Sequence, residues 1–590
     1  MSDETLTLEK ILKRFDIQSE SFSEYEVEKA LRPLSSQSTE TSPELLAERM
    51  AFGFIEDYKD EATGWGTYYG PMMVLPNEQG QMMESPSIKL VTEHMLTYWS
   101  QRAVQAKHPI MKARYAGLVW DFSRNITGKA GNPNMARITI DANLEIVERH
   151  LYKHENEGIS KLERALSLAL QLNDVERIGK IKRLIISFED FLAAKGDTKL
   201  RGFAYDLLIE KNRLSLTESE INKIIADLEA WLYIVTNTAE KTSFDPFAAE
   251  EAAFRLAKYY RKVNSTDKLR EALLKYGNAF LEISKKASAL VASSWLQKVY
   301  SVYREFGLMK EADEIAVLLR QIGEKSIDEM KAISGEIKIT KKEMEEFTES
   351  LTKGEVEKVL TKIASYFVPS KNEVEKQVKA LSKKAVLSFL ISRTLQDYKG
   401  RPVAKIGPLH EDLDGHLVSQ MSQNMSISSI FLRPVIKKIK EKDRFSIKAL
   451  IDYLYASPVF DIDKKPIIEA GFKAYFDSDH LVAVHLLIPQ IEDALRNLVE
   501  KTGNSIFKYS RAGSLFLKNL DDILREEAVI EIFGEDITFY LRALLTDQRG
   551  WNLRNSVCHG LNPYSSFSSV ISDRVFHVLI LLAQIRLKKE

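Results

Sequence analysis

An arginine, an asparagine and a histidine crowd the stretch GWNLRNSVCHGLNP, residues 550–563. Arg554 and His559 are residue types that phosphodiester chemistry uses. A histidine titrates near neutrality, so it can take a proton from a ribose 2′-hydroxyl or give one to a leaving 5′-oxygen. An arginine stays charged and presents a planar fork to a phosphorane whose oxygens gain charge in the transition state. RNA carries its own nucleophile, so such a site calls for no metal and no cofactor. On a helical turn Asn555 and His559 are four apart and share a face, and Arg554 at a frayed first turn can bend inward to meet them. Gly550 and Asn552 make a turn and cap before that helix, and Gly560 is a natural left-handed residue after it. Cys558 is the chain's single cysteine, which excludes an intramolecular disulfide and a cysteine-based zinc cluster. Its side chain points away from that of its neighbour His559 on a helix, so the thiol is assigned to packing rather than to nucleophilic catalysis.

These residues need a scaffold. From about Phe445 onward the sequence reads as some five helices with short loops, an antiparallel bundle. In LVAVHLLIPQIEDALRNLVEK, Val484, Ile488, Ile491, Leu495 and Leu498 fall on one face, which is core. Glu492 and Arg496 stand at i and i+4 on the same helix and are placed to pair. Pro489 predicts a kink or a late helix start. Upstream, residues 433–448 hold seven basic residues against two acidic. Lys437, Lys438 and Lys440 there are candidates to steer an RNA backbone.

The segment RNSVCHG (554–560) fits the pattern RNxxxHG. At average residue usage four fixed positions arise by chance in a chain this long on the order of a few times in a thousand. The pattern resembles the signature of the DUF4209 family, which is similar to the HEPN superfamily, with an arginine–histidine motif on a late helix of a helical bundle. The resemblance covers about the last 150 residues. It implies a HEPN-type, metal-independent endoribonuclease, with Arg554 and His559 catalytic and Asn555 orienting His559 or the phosphate. The family's helix-borne acidic residue corresponds to Glu492, with Arg496 beside it and Asp547 as a further acidic candidate. A homodimer through the C-terminal bundle would pair two motifs, since one histidine does not easily serve as both acid and base. Bacterial proteins of this kind act in defence against phage or in toxin-like growth arrest. The N-terminal region then acts as sensor or regulator and meets a protein or phage trigger. The alternative is a non-catalytic helical scaffold that binds RNA or a protein partner.

The rest of the chain sets the frame. Its 590 residues allow three or four domains at ~150 residues each. It is 44% apolar and 28% charged, an ordinary globular composition, and the net charge of −1 excludes a basic nucleic-acid coat. With only 16 prolines and 26 glycines, a mainly α fold is expected. Within it, one small β-hairpin is expected near residues 64–88, around PNEQG. Trp65, Tyr68 and Tyr69 there are assigned to a small core ahead of base stacking. The corners LALQLNDVERIGKI, YYRKVNSTDKLREA and VYREFGLMKEADEI each join two helical patterns. The last two lie 43 residues apart, which suits a solenoid-like helical repeat. Lysine and glutamate alternate through residues 325–400 as a solvated helix face. The region YKGRPVAKIGPLHEDLDGHLVSQM reads as a linker, and the spacing of His410, Glu411, Asp412, Asp414 and His416 fits no metal motif. PLSSQSTETSPE reads as a polar linker. The expected organisation is an N-terminal region with the hairpin (1–90), a repeat region (91–335), a connecting helical region (336–440) and the HEPN-like bundle (441–590). Neither a signal peptide nor a membrane span is read, so a cytoplasmic protein is expected.

Overall fold

Scarce helix breakers leave long stretches free to coil, and the computed structural model of the chain is mainly α, with helical repeats. Strands among the described residues are confined to three antiparallel pairs. The structure describes all residues except 1–6, 37–41, 59–64, 78–80, 212–213, 332–334, 337, 510–512 and 587–590. The chain divides into two compact units, Met1–Ala287 with Trp295–Asp313, and Ser288–Ser294 with Glu314–Glu590.

In the first unit, helices pack chiefly on their neighbours in sequence, such as Pro109–Thr127 on Pro133–Glu148. The three expected corners share one hydrogen-bond pattern. After helices Glu155–Gln171, Pro246–Lys262 and Ala289–Glu305, the chain turns through Asn173, Asn264 and Gly307, all at positive φ. The amides of Asp174, Ser265 and Leu308 then reach back to the carbonyls of Ala169, Tyr260 and Tyr303, at 3.0, 2.8 and 2.8 Å. This six-to-one closure satisfies a terminal carbonyl of the first helix and aims the chain into the next. The strands of the expected hairpin are Met73–Pro76 and Met82–Ser85, with Leu75 opposite Met83. Residues 78–80 of its PNEQG tip, and residues 37–41 of the PLSSQSTETSPE stretch, lie outside the described residues. Tyr69 is buried, and Trp65 and Tyr68 pack against the same core.

In the second unit, one hydrophobic core runs from Leu351 to Ala583. The lysine- and glutamate-rich helices Lys341–Thr352, Val356–Tyr366 and Lys371–Lys384 keep their charges outward and bury a stripe, including Val359, Leu360, Ile363 and Val374. The apolar helix Ser569–Leu582 is buried nearly all round. It carries four polar residues into the core, Ser572, Asp573, Arg574 and His577. Arg574 donates to the Met425 carbonyl at 2.7 Å, and His577 lies between the Tyr540 hydroxyl (2.9 Å) and the Ala364 carbonyl (3.1 Å). A carbonyl only accepts, so Nε2 carries the proton and Nδ1 accepts from Tyr540.

Several expectations are corrected here. The region read as a linker holds a strand, Pro402–Ile406, paired with Arg393–Gln396, and the start of the long helix Leu413–Lys440. His416 is buried, its Nε2 2.9 Å from the Gly407 carbonyl. A further hairpin joins Phe507–Tyr509 to Leu515–Leu517. Of the kink or late helix start expected at Pro489, the late start does not hold, because the helix His480–Lys501 starts well before it and runs through it. Pro489 is exposed there, so the carbonyl left without its amide partner can be met by water. No helix among the described residues is long and apolar enough to cross a membrane.

Candidate functional site

The helix carrying RNSVCHG is short, Leu553–Cys558, and the preceding corner fixes where it starts. Gly550 is obligatory by contact: a Cβ there would lie 2.1 Å from the Ala543 carbonyl oxygen. The Trp551 amide donates to that same carbonyl at 2.9 Å. Asp547 and Arg549 clamp the corner, the guanidinium donating to both Asp547 oxygens at 3.0 and 2.8 Å and to Asp412 at 3.0 Å. Burial works to raise the Asp547 carboxyl, and the hydrogen bonds from Arg549 outweigh it and hold it below the usual range. Asn552 then takes a left-handed conformation ahead of the helix. At the other end Gly560 has positive φ, and Leu561 closes back to the Ser556 carbonyl at 2.8 Å, the pattern of the first unit's corners.

Arg554 leaves this helix toward a buried carboxylate. Its Nε donates to Glu492 Oε2 at 2.6 Å and a terminal nitrogen to Oε1 at 3.2 Å, while Arg496 pairs with the same Oε1. One carboxylate thus faces two guanidinium groups, which leaves a unit of positive charge over. The bond to Glu492, partly offset by desolvation, raises the Arg554 guanidinium further above its ordinary range. Asn555 accepts from Arg554 at 3.0 Å and donates to Asn552 Oδ1 at 2.8 Å and to the Thr546 carbonyl at 3.2 Å. Its side chain therefore holds Arg554 and makes no hydrogen bond to His559, the first of the two partners, His559 or the phosphate, expected for it. The His559 imidazole is exposed and has no hydrogen-bond partner among the described residues.

Arg554, Asn555 and His559 line one cleft of about 420 Å³, together with Asn519, Leu520, Asp521, Gln548, Asn552 and Leu561. The structure therefore brings the three motif side chains together, braced from behind by Glu492 and Arg496. Asp547 is not part of the lining, because Arg549 holds it in the corner behind. The candidate RNA-contact lysines are not part of it either. Lys438 pairs with Glu349 at 3.1 Å, Lys440 donates to the Tyr475 carbonyl at 2.6 Å, and Lys437 is exposed. Cys558, assigned from sequence to packing, is exposed, and partial desolvation pushes its thiol up. Asp521, Asn519 and Gln548 were not foreseen. The available signal for the first two was NLDD, an asparagine three residues before an aspartate, which starts a helix as a reciprocal cap at Asn519 and Asp522.

This arrangement supplies a fixed cation for an anionic group, an unpaired imidazole for proton transfer and amides for polar recognition. Among the described residues no group of three or more His, Cys, Asp or Glu is placed to hold a metal ion.

Residues 61–181 match the model of a family described as a domain of unknown function (DUF7380). This is a different family from DUF4209, and no HEPN match is found, which overturns the expected DUF4209 and HEPN resemblance. A seven-residue motif shows only that one helical turn can carry those side chains. The DUF7380 match covers the first hairpin and the helices after it, and none of the cleft. No curated protein matches the chain. Among solved structures, a circular tandem repeat protein with novel repeat topology and enhanced subunit contact surfaces is 12% identical, over 80% of this chain and 92% of that one. Its TM-score is 0.15.

Proposed function

We propose that the cleft binds a phosphodiester of RNA and cleaves it without a metal ion, Arg554 holding the phosphate and His559 moving a proton. The observation that carries this reading is the opposite state of the two groups in one cleft. Arg554 is fixed by a two-point bond to buried Glu492, while the imidazole of His559 is unpaired. A braced guanidinium needs no reorganisation when charge develops on phosphorus. An unpaired imidazole is available to either ribose oxygen, provided the substrate brings one within about 3 Å. The substrate's 2′-oxygen attacks phosphorus, the bond to the 5′-oxygen breaks, and the products are a 2′,3′-cyclic phosphate and a 5′-hydroxyl. One imidazole serves one of the two proton transfers, so a second group, from this chain or from a second copy in a homodimer, must serve the other. Cleavage of cellular RNA would stop translation, the outcome that growth arrest or anti-phage defence requires.

Purified protein incubated with RNA in EDTA tests this, with His559→Ala alongside. Cleavage should persist in the chelator, should fail on DNA and at 2′-O-methyl positions, and should leave cyclic phosphate ends. Cleavage of DNA, a strict need for a divalent ion or full activity in His559→Ala would overturn the mechanism. RNA binding without cleavage would replace it with the scaffold reading.

A further inference from the structure

The proposed cleavage needs two proton transfers, and the cleft contains a second group able to make one. Asp521 sits in the first turn of the short helix Leu520–Leu524 and lines the same cleft as Arg554 and His559. Its Oδ1 accepts from the Thr546 hydroxyl at 2.9 Å and its Oδ2 from Arg525 Nε at 2.9 Å. A carboxylate offers about four acceptor positions, so each oxygen keeps one free, and the side chain is 40% exposed. The other two acidic candidates are closed off. Glu492 is 7% exposed and spends both oxygens on Arg554 and Arg496, and Asp547 is bound on both oxygens by Arg549.

Thr546 joins Asp521 to the rest of the site. Its hydroxyl holds Asp521, its carbonyl accepts from Asn555 at 3.2 Å, and Asn555 accepts from Arg554 at 3.0 Å. The Asp521 carboxylate and the cleft-lining guanidinium are thus linked through two intervening residues, Thr546 and Asn555. We propose that Asp521 is the second proton-transfer group, so that a single chain carries a complete site. This rests on the RNA-cleavage reading above. The Asp521 carboxylate takes the 2′-hydroxyl proton as the 2′-oxygen bonds to phosphorus. The bond from phosphorus to the 5′-oxygen breaks with its electron pair on oxygen, and protonated His559 supplies that oxygen's proton. Hydrolysis of the cyclic product by water reverses both transfers. The charged groups around Asp521 are Asp522 on its own helix, Arg525 at that helix's C-terminal cap, whose guanidinium also lies in the field of Asp414 and Asp547, and Arg554 and His559 in the cleft lining.

The test is the pH–rate profile for cleavage of the dinucleotide uridylyl-adenosine in EDTA by the full-length chain. Asp521→Asn should lower kcat by about 10²–10⁴-fold with KM little changed, and should remove the acid-side limb of the profile. Asp521→Glu should recover part of the rate together with that limb. Thr546→Val keeps the carboxylate and loses only its tether, so it should retain both limbs. Mixing His559→Ala with Asp521→Asn protein should restore nothing if each chain is complete. An unchanged acid limb in a folded Asp521→Asn, an Asp521→Glu without the limb, or activity restored on mixing overturns the assignment and leaves RNA cleavage standing. Absence of cleavage by the unmodified chain removes the underlying reading instead.

Discussion

Each unit of the chain gathers buried charge, and the two gatherings end differently. In the first unit Lys161 lies between Glu24 at 3.0 Å and Glu56 at 2.9 Å, and Arg114 donates to the Ala51 carbonyl at 2.5 Å and lies 3.4 Å from Glu56. Arg164 covers the Tyr68 ring at 4.0 Å and pairs with Asp121 at 2.7 Å. Burial works to raise the Glu24 carboxyl, but Lys161 and Arg114 outweigh it and hold it at about 2. Every charge named there has its partner inside the same unit, and the result is a strut. In the second unit Glu492, Arg496 and Arg554 use the same residue types at a ratio of one anion to two cations, and Arg554 also lines a cleft. Glu24, Glu56, Arg114 and Lys161 line a cleft of about 360 Å³ as well, so what separates strut from site is the leftover charge, which cannot be read from residue identity.

The largest effect expected from this contrast is on the strut. Lys161→Met leaves Glu24 and Glu56 without their shared cation and should cost up to about 3 kcal/mol, since the lysine is 12% exposed and the two carboxylates 27% and 23%, seen as a lower unfolding temperature of the full chain. RNA cleavage should be unaffected, and a loss of cleavage without a loss of stability would reverse the two roles. Next comes the cleft itself. His559→Ala and Arg554→Ala should each slow RNA cleavage by about a hundredfold or more, with the unfolding temperature moving far less than for Lys161→Met. A third effect sharpens the comparison through pH. Burial, reinforced by Arg574, depresses the His577 imidazole to about 3 from 6.5. The fold therefore favours the neutral ring, and the stability this contributes is complete above pH 6.5 and lost as pH falls toward 3. Thermal unfolding at pH 5 should show a loss of about 2 kcal/mol relative to pH 7 from this group, absent in His577→Leu. The smallest effect is at Cys558. The thiol is exposed, so Cys558→Ser should change stability by no more than about 0.5 kcal/mol and leave cleavage unchanged.

Periodicity made the C-terminal helices legible, because stripes such as Val484, Ile488, Ile491 and Leu495 repeat over several turns and are indeed buried. The Glu492–Arg496 pair was legible for the same reason, being four residues apart on one helix. Its partner Arg554 was not, since 62 residues separate it from Glu492 and only the packing of two helices joins them. Asp521 escaped notice likewise. The strands Arg393–Gln396 and Phe507–Tyr509 are too short, and too mixed in polarity, for an alternating pattern to stand out. The polar corners announced turns, but that Asn173 and Asn264 would take the left-handed place held by Gly307 at the third was not visible in their surroundings.

Those corners also bear on how the molecule comes into being. Each closes with a hydrogen bond that spans five residues, so the helical hairpins of the first unit can form locally, soon after their residues leave the ribosome. The second unit cannot proceed this way. His577 must find the Ala364 carbonyl across 213 residues of chain, and Glu492 waits for Arg554 across 62. A partly made polypeptide would hold ordered hairpins in its first unit while the cleft still lacked its guanidinium. The activity proposed for that cleft would therefore be silent until Arg554 is made and packed against Glu492, and up to that point the ribosome building the protein would be spared an enzyme that attacks RNA.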